Sequence, residues 1–236
     1  MTSVPTPPWR KSPKPVKQQL SQALIVETGL RILDSEGLDA LSMRRVAQEL
    51  GTGPASLYAH VSNKDELLEL IYDLILGEIE VGEPDPANWK AQLRAYALES
   101  HQVLGRHADV ARAAMSSVPT GPNALRLGEY MMSLLISAGM DPRDASFTVD
   151  RLSLYIAGDA FEGSLHFARM RAQGLNDRKE YIRNFVGQIK DYYQSLPPEQ
   201  FPMLTTYVDE LTDPDGEQRF EYGLDLMIEG MAARMK

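Results

Sequence analysis

Apolar residues recur along this chain at three- and four-residue spacing, with no convincing run of alternating strand pattern, so the pattern predicts an all-α protein. Ala23, Val26, Leu30 and Leu33 share one face of a helix over 22–36, with Ser21 as its N-cap and Gly37 just past its end. Leu38 and Leu41 lead to Ser42, the expected N-cap of a helix over 43–50. Gly51-Thr52-Gly53 breaks that helix, and Pro54 suits the first position of the next, over 54–60. Asn63-Lys64-Asp65-Glu66 reads as a capping box opening a fourth helix towards Ile79.

Beyond a proline-marked hinge at Pro84-Asp85-Pro86, the pattern predicts helices over 87–104, near 108–115 and over 123–138. Trp89, Leu93, Tyr96, Ser100 and Leu104 share a face of the first of these. Asp141-Pro142 reads as N-cap and first-turn proline of a long helix reaching about Met170. A helix over 178–195, a proline-broken stretch and a last helix over 217–234 complete the chain. Three parts are expected: an arm over 1–20, a compact head over 21–66 and a larger helical body over 67–236.

Composition narrows the chemistry. The 236 residues are 43% hydrophobic and 24% charged, enough for a self-supporting core. The absence of cysteine excludes disulfides, thiolate metal sites and a cysteine nucleophile. No apolar run is long enough to span a membrane, and the start (MTSVPTPPWRKSPKPVKQQ) is basic and proline-rich without the apolar region of a signal peptide, so a cytoplasmic protein is expected. The net charge of −9 is unevenly placed. Residues 1–64 hold eight Lys/Arg against five acids, a balance of +3, leaving sixteen against twenty-eight, a balance of −12, for the rest. A small phosphate-facing module on an acidic body has this asymmetry, although a basic tail alone would account for part of it.

Two short helices joined by a glycine-containing turn are the form of a helix-turn-helix, whose second helix enters the DNA major groove. Ala47 is small where helices cross, Gly51 permits positive φ, and Val46, Leu50, Leu57 and Val61 form the apolar seam. That leaves Ala55, Ser56, Tyr58 and His60 facing outward. Small and methyl groups meet base edges, whereas Tyr58, His60 and Lys64 suit phosphates, and Arg44 reaches either a phosphate or a guanine edge.

Residues 21–68, centred on GLDALSMRRVAQELGTGPASLYAHVSNKDELL, resemble the DNA-binding domain of the TetR family of one-component transcriptional regulators. The order of a Ser-x-Arg-x-hydrophobic-Ala motif, a Gly-x5-Leu-Tyr-x-His motif and a Lys-x-x-Leu-Leu motif carries the resemblance. It implies DNA contacts at Arg44, Ala55, Ser56, Tyr58, His60 and Lys64, with Pro54 at the tip of the recognition helix. Some of the family's usual amide and charged residues are missing from that helix, so base identity does not follow. The resemblance further implies a homodimer on a palindromic operator in double-stranded DNA, released when a small-molecule effector occupies the body. The long helix from Pro142 and the last helix would form the dimer interface, with Leu152, Ile156, Leu224, Leu226, Ile228 and Met231 as apolar surface.

The body is similar to the tetracycline repressor subgroup. Alignment with that subgroup puts Glu80, Tyr96, Ser100, Ala114, Ser117 and Val118 at positions of ligand or metal contact. Ala114 stands where the subgroup has its magnesium-ligating histidine, and Val118 where it has an arginine, which disfavours a magnesium–tetracycline complex and suits a larger apolar or aromatic molecule. Tyr130, Leu134, Arg151, Tyr155 and Asp159 are further candidates for the cavity wall, although an ordinary core would place such residues similarly. No catalytic or nucleotide-binding motif occurs. Glu162 and His166, four apart, are too few for a metal site by themselves. No enzyme, cofactor or metal is expected. A phosphate-only architectural DNA binder and a helical small-molecule carrier remain as alternatives, the latter because Ala55 and Ser56 make a thin recognition surface.

Overall fold

The computed structural model describes residues 19–107, 110–111, 120–213 and 216–235. Every element among them is helical. Helix α1 spans Gln22–Glu36, α2 Met43–Glu49, α3 Pro54–Leu57 and α4 Lys64–Leu76. A 3-10 turn at Pro86–Asn88 leads into α5, Trp89–Arg106. There follow α6 (Pro122–Ser137), α7 (Pro142–Ala172), α8 (Arg178–Gln194), α9 (Pro202–Thr206), α10 (Val208–Leu211) and α11 (Gly216–Ala232). The two short helices α9 and α10 occupy the proline-broken stretch. The helix expected near 108–115 lies almost wholly outside the described residues.

Side-chain caps set the starts of the head helices. Leu24 donates its backbone N–H to Ser21 Oγ at 3.2 Å, and Arg45 donates to Ser42 Oγ at 3.1 Å. Glu66 donates its N–H to Asn63 Oδ1 at 2.8 Å, while its own carboxylate accepts from Ser62 N–H at 2.5 Å, one residue earlier than a standard capping box. These bonds to Ser62 hold the Glu66 carboxyl below its ordinary pKa.

The third helix is shorter than its sequence suggests. The Leu57 carbonyl accepts from both His60 N–H at 2.9 Å and Val61 N–H at 3.0 Å, so the last turn tightens and α3 stops at Leu57. Tightening also ends α4 at Leu76, with 3-10 type bonds carrying the chain to Ile79.

Ile25, Leu33, Val46, Leu57 and Val61 are buried to within about 1% exposure and make the head's core with Leu67 and Ile71 of α4. In the body, α5, α6, α7 and α11 pack around Leu93, Val103, Leu134, Leu135 and Phe220. Five of the six residues named for a dimer surface, Leu152, Ile156, Leu224, Ile228 and Met231, are buried in this intramolecular core, because α7 and α11 pack on each other and on α5. The apolar groups that α7 and α11 leave exposed are Phe147, Leu154, Leu165, Tyr222 and Leu226. No helix among the described residues is long and apolar enough to cross a membrane.

Candidate nucleic-acid interface and effector cleft

The chain reverses between α2 and α3 through Gly51, whose φ of 62° is reached at little steric cost only without a Cβ. Thr52 N–H donates to the Ala47 carbonyl at 2.9 Å and Gly51 N–H to Gln48 at 3.1 Å, closing the turn. Buried Val46, Ala47 and Leu57 then fix α3 against α2. Pro54, Ala55, Ser56 and Tyr58 remain exposed, Tyr58 at 53%, and His60 is half-buried with its carbonyl accepting from Gln22 Nε2 at 3.1 Å.

Cations around this surface divide into free and engaged. Arg44 is exposed and takes part in no ion pair or hydrogen bond of its side chain among the described residues. Arg45 bridges Glu36 at 2.6 Å and Glu49 at 2.8 Å, and these bonds, Glu36 foremost, raise its pKa and hold it charged. The same contact with Arg45 lowers the Glu36 carboxyl. Lys64, at the start of α4, donates to the Leu38 carbonyl at 3.3 Å and keeps further N–H groups for an outside acceptor.

Among the candidate effector residues, Glu80, Tyr96 and Tyr130 come together with Val81, Gly82, Gln92, Ala95 and Glu99 around a cleft of about 140 Å³. The Tyr96 and Tyr130 rings are tilted at 42° with centroids 6.3 Å apart. Burial raises the Tyr96 hydroxyl above its ordinary pKa, opposed by Ser100 and the Arg126 charge. Burial also raises Tyr130, and pushes the neighbouring Tyr72 up to about 12. Ser100, one turn beyond Tyr96 in α5, is 4% exposed, and its hydroxyl makes no hydrogen bond of acceptable geometry among the described residues. Such a group carries a desolvation cost that a polar ligand atom would relieve.

The remaining candidates are held elsewhere. Leu134 is fully buried in the core, and Arg151 is exposed and paired with Asp150 at 2.5 Å. Tyr155 donates to the Phe220 carbonyl at 2.8 Å and stacks on that ring at 5.1 Å, while Asp159 pairs with His101 at 2.6 Å. Ala114, Ser117 and Val118 lie outside the described residues. Glu162 approaches Arg219 at 3.8 Å, and His166 meets Phe185 edge-on at 5.0 Å; no group of three metal-ligating side chains gathers among the described residues.

One joint beside the cleft was not anticipated. Helix α6 begins Gly121-Pro122, with no side-chain cap of its own. Asp73 of α4 supplies the cap: Ala124 N–H donates to Oδ1 at 3.0 Å and Asn123 Nδ2 to Oδ2 at 3.1 Å. A Cβ at Gly121 would collide with Asp73. In return Arg126 of α6 donates to the Ile79 carbonyl at 3.0 Å and the Leu76 carbonyl at 3.4 Å, so each helix closes an open end of the other. The capless Gly121-Pro122 start was the sequence signal for an acceptor from a distant element.

Residues 25–71 match the family of bacterial regulatory proteins designated tetR, and residues 82–235 match the tetracyclin repressor-like C-terminal domain. The chain is 30% identical over 226 residues to the HTH-type transcriptional repressor DrrR1 of Streptomyces coeruleorubidus, covering 94% of this chain and 79% of that one. The crystal structure of apo ActR from Streptomyces coelicolor is 42% identical, covers 92% of this chain and 98% of its own, and superposes with a TM-score of 0.78. The same ActR in complex with actinorhodin is 42% identical, covers 92% and 97%, and has a TM-score of 0.81.

Proposed function

The chain belongs to the TetR family of transcriptional regulators, and on that premise we propose that it is a homodimeric repressor released from a palindromic operator by a small molecule in the α5–α6 cleft. One observation carries the DNA half of this reading. Arg44, Ala55, Ser56 and Tyr58 are exposed, and the Arg44 charge has no partner among the described residues although its neighbour Arg45 has two. We assign Ser56 and Ala55 to base edges, Arg44 to a guanine edge or phosphate, and Tyr58, His60 and Lys64 to phosphates, with Pro54 at the groove entrance. The functional division is an arm over 1–20, a reading head over 21–66 and a body over 67–236, working in the cytoplasm where its operator lies, without catalysis.

The effector is a hydroxylated, fused-ring aromatic molecule. Two tyrosine rings provide faces for it, the buried Ser100 hydroxyl, without a hydrogen bond of acceptable geometry among the described residues, lies one turn along α5 from Tyr96, and the 42%-identical ActR has been crystallised in complex with actinorhodin. Dimer formation is supported by exposed Leu154, Tyr222 and Leu226 on α7 and α11.

Release follows from differential affinity: an occupant that fits the cleft in only one head-to-body arrangement draws the population towards it. The test is to titrate actinorhodin into the protein bound to its selected duplex. Loss of DNA binding in wild type, and weaker release in Ser100→Ala and Tyr96→Phe, supports the reading. Actinorhodin binding that leaves DNA affinity unchanged contradicts it.

A further inference from the structure

Head and body are joined by α4, and also by a second contact that α4 does not make. At the end of α5, His107 has a carboxylate on each ring nitrogen. Its Nδ1 lies 3.1 Å from Asp34 Oδ2 on α1 in the head, and its Nε2 lies 3.0 Å from Glu78 Oε1, two residues beyond α4. Arg106 donates to the other Glu78 oxygen at 3.2 Å. The His107 side chain is only 12% exposed, whereas Asp34 and Glu78 are 36% and 39% exposed. One ring thus spans two carboxylates on different elements, a ring nitrogen within hydrogen-bonding distance of each.

The location matters more than the strength. Asp34 sits in the last turn of α1, which packs on α2 and braces the DNA-reading helices. The other end of the head is already committed, because α4 packs along α1 and is locked to α6 through Asp73 and Arg126. The head is therefore held to the body at two places, the α4–α6 joint and the His107 contact. His107 follows directly on α5, the helix that also contributes Gln92, Ala95, Tyr96 and Glu99 to the cleft.

We propose that His107 is the positioning residue that fixes the head relative to the body by holding Asp34 and Glu78 at once, and that movement of the α5 end, on occupation of the cleft, frees Asp34 and lets the head swing. The regulatory half of this proposal rests on the repressor reading; the mechanical half does not. Glutamine cannot replace the ring, since one amide nitrogen does not donate in two opposed directions.

The chain has no cysteine, so a pair introduced at exposed Gln48 of α2 and Gln102 of α5 can carry spin labels without background. Labelled protein mixed into an excess of unlabelled protein reports the head-to-body distance within one protomer by pulsed electron paramagnetic resonance. Wild type is expected to give one narrow distance, and His107→Ala, His107→Gln and Asp34→Asn each to lose it for a broad or shifted distribution at unchanged helix content. The same narrow distance in all three variants overturns the positioning role. On the selected duplex, His107→Gln should still bind actinorhodin while the ratio of DNA affinities with and without it falls towards one; a wild-type ratio in this variant overturns the coupling. A wild-type protein that binds no duplex leaves the distance measurement standing, so the two failures are separable.

Discussion

Arg44 and Arg45 are neighbours in the chain with different partners: Arg45 is held by Glu36 and Glu49, and Arg44 by nothing among the described residues. An exposed arginine without a partner among the described residues, on the helix that supports α3, is the feature of the head most directly suited to nucleic acid, because its guanidinium keeps its donors for an outside acceptor. The contrast separates a binding residue from a structural one by experiment.

Replacing Arg44 with alanine should leave the melting temperature unchanged and weaken operator binding by about 1 to 3 kcal/mol if a guanine edge is its target. Replacing Arg45 should do the reverse, lowering the melting temperature more than the affinity per folded molecule. Anisotropy with a labelled duplex, alongside calorimetry, measures both. Equal effects of the two substitutions on DNA binding would contradict the assignment.

Tyr58→Ala and Lys64→Ala should weaken binding to all sequences about evenly, and the salt slope should fall by about one for Lys64. Loss confined to a few sequences would show base reading instead. Because Lys64 also donates to the Leu38 carbonyl, Lys64→Ala should loosen the α1–α2 link as well, visible as faster amide exchange there.

Asp73 caps α6 from α4, so Asp73→Ala should cost about 1 to 2 kcal/mol, towards the upper end for a cap because it serves two N–H donors. Asn123→Ala should add little on top of it, since the two share the joint. A double-mutant cycle by urea unfolding checks this, and strict additivity would show that the residues act independently.

Tyr72 is pushed up to about 12 from an ordinary 10, chiefly by burial, and Tyr96, Tyr130 and Tyr155 are raised too. The folded state therefore holds their protons more tightly than the unfolded chain does. The contribution is fully present below pH 10 and declines as pH rises towards 12. Unfolding free energy should fall across this window, and Tyr72→Phe should make the fall less steep. An alkaline limb of unchanged slope in Tyr72→Phe would contradict the burial of that hydroxyl.

Much of this fold was legible because its signals are local. Ser21, Ser42 and Asn63 cap the helices that their spacing assigned to them, and Gly51 adopts the positive φ that its place between two short helices requires. What was not legible depends on distant pairs. Nothing near Asp73 announces that it caps α6 fifty residues later, and nothing near His107 announces Asp34 and Glu78. Helical periodicity likewise does not say which apolar face meets which neighbour: Leu224 and Ile228 face their own protomer, while Tyr222 and Leu226, each two residues from Leu224, remain exposed. The cleft was partly legible, since Tyr96 and Tyr130 converge, yet Tyr155 and Asp159 are engaged by Phe220 and His101.

The central claim, a two-fold DNA reader governed by its body, is tested most directly by selecting duplexes from a random pool with the full-length protein and sequencing the survivors at two salt concentrations. The account predicts one inverted-repeat motif, retained at the higher salt and lost from the pool selected by Arg44→Ala. A pool without a motif, enriched only at low salt and indifferent to Arg44, would contradict it and leave a protein that holds phosphates without reading sequence.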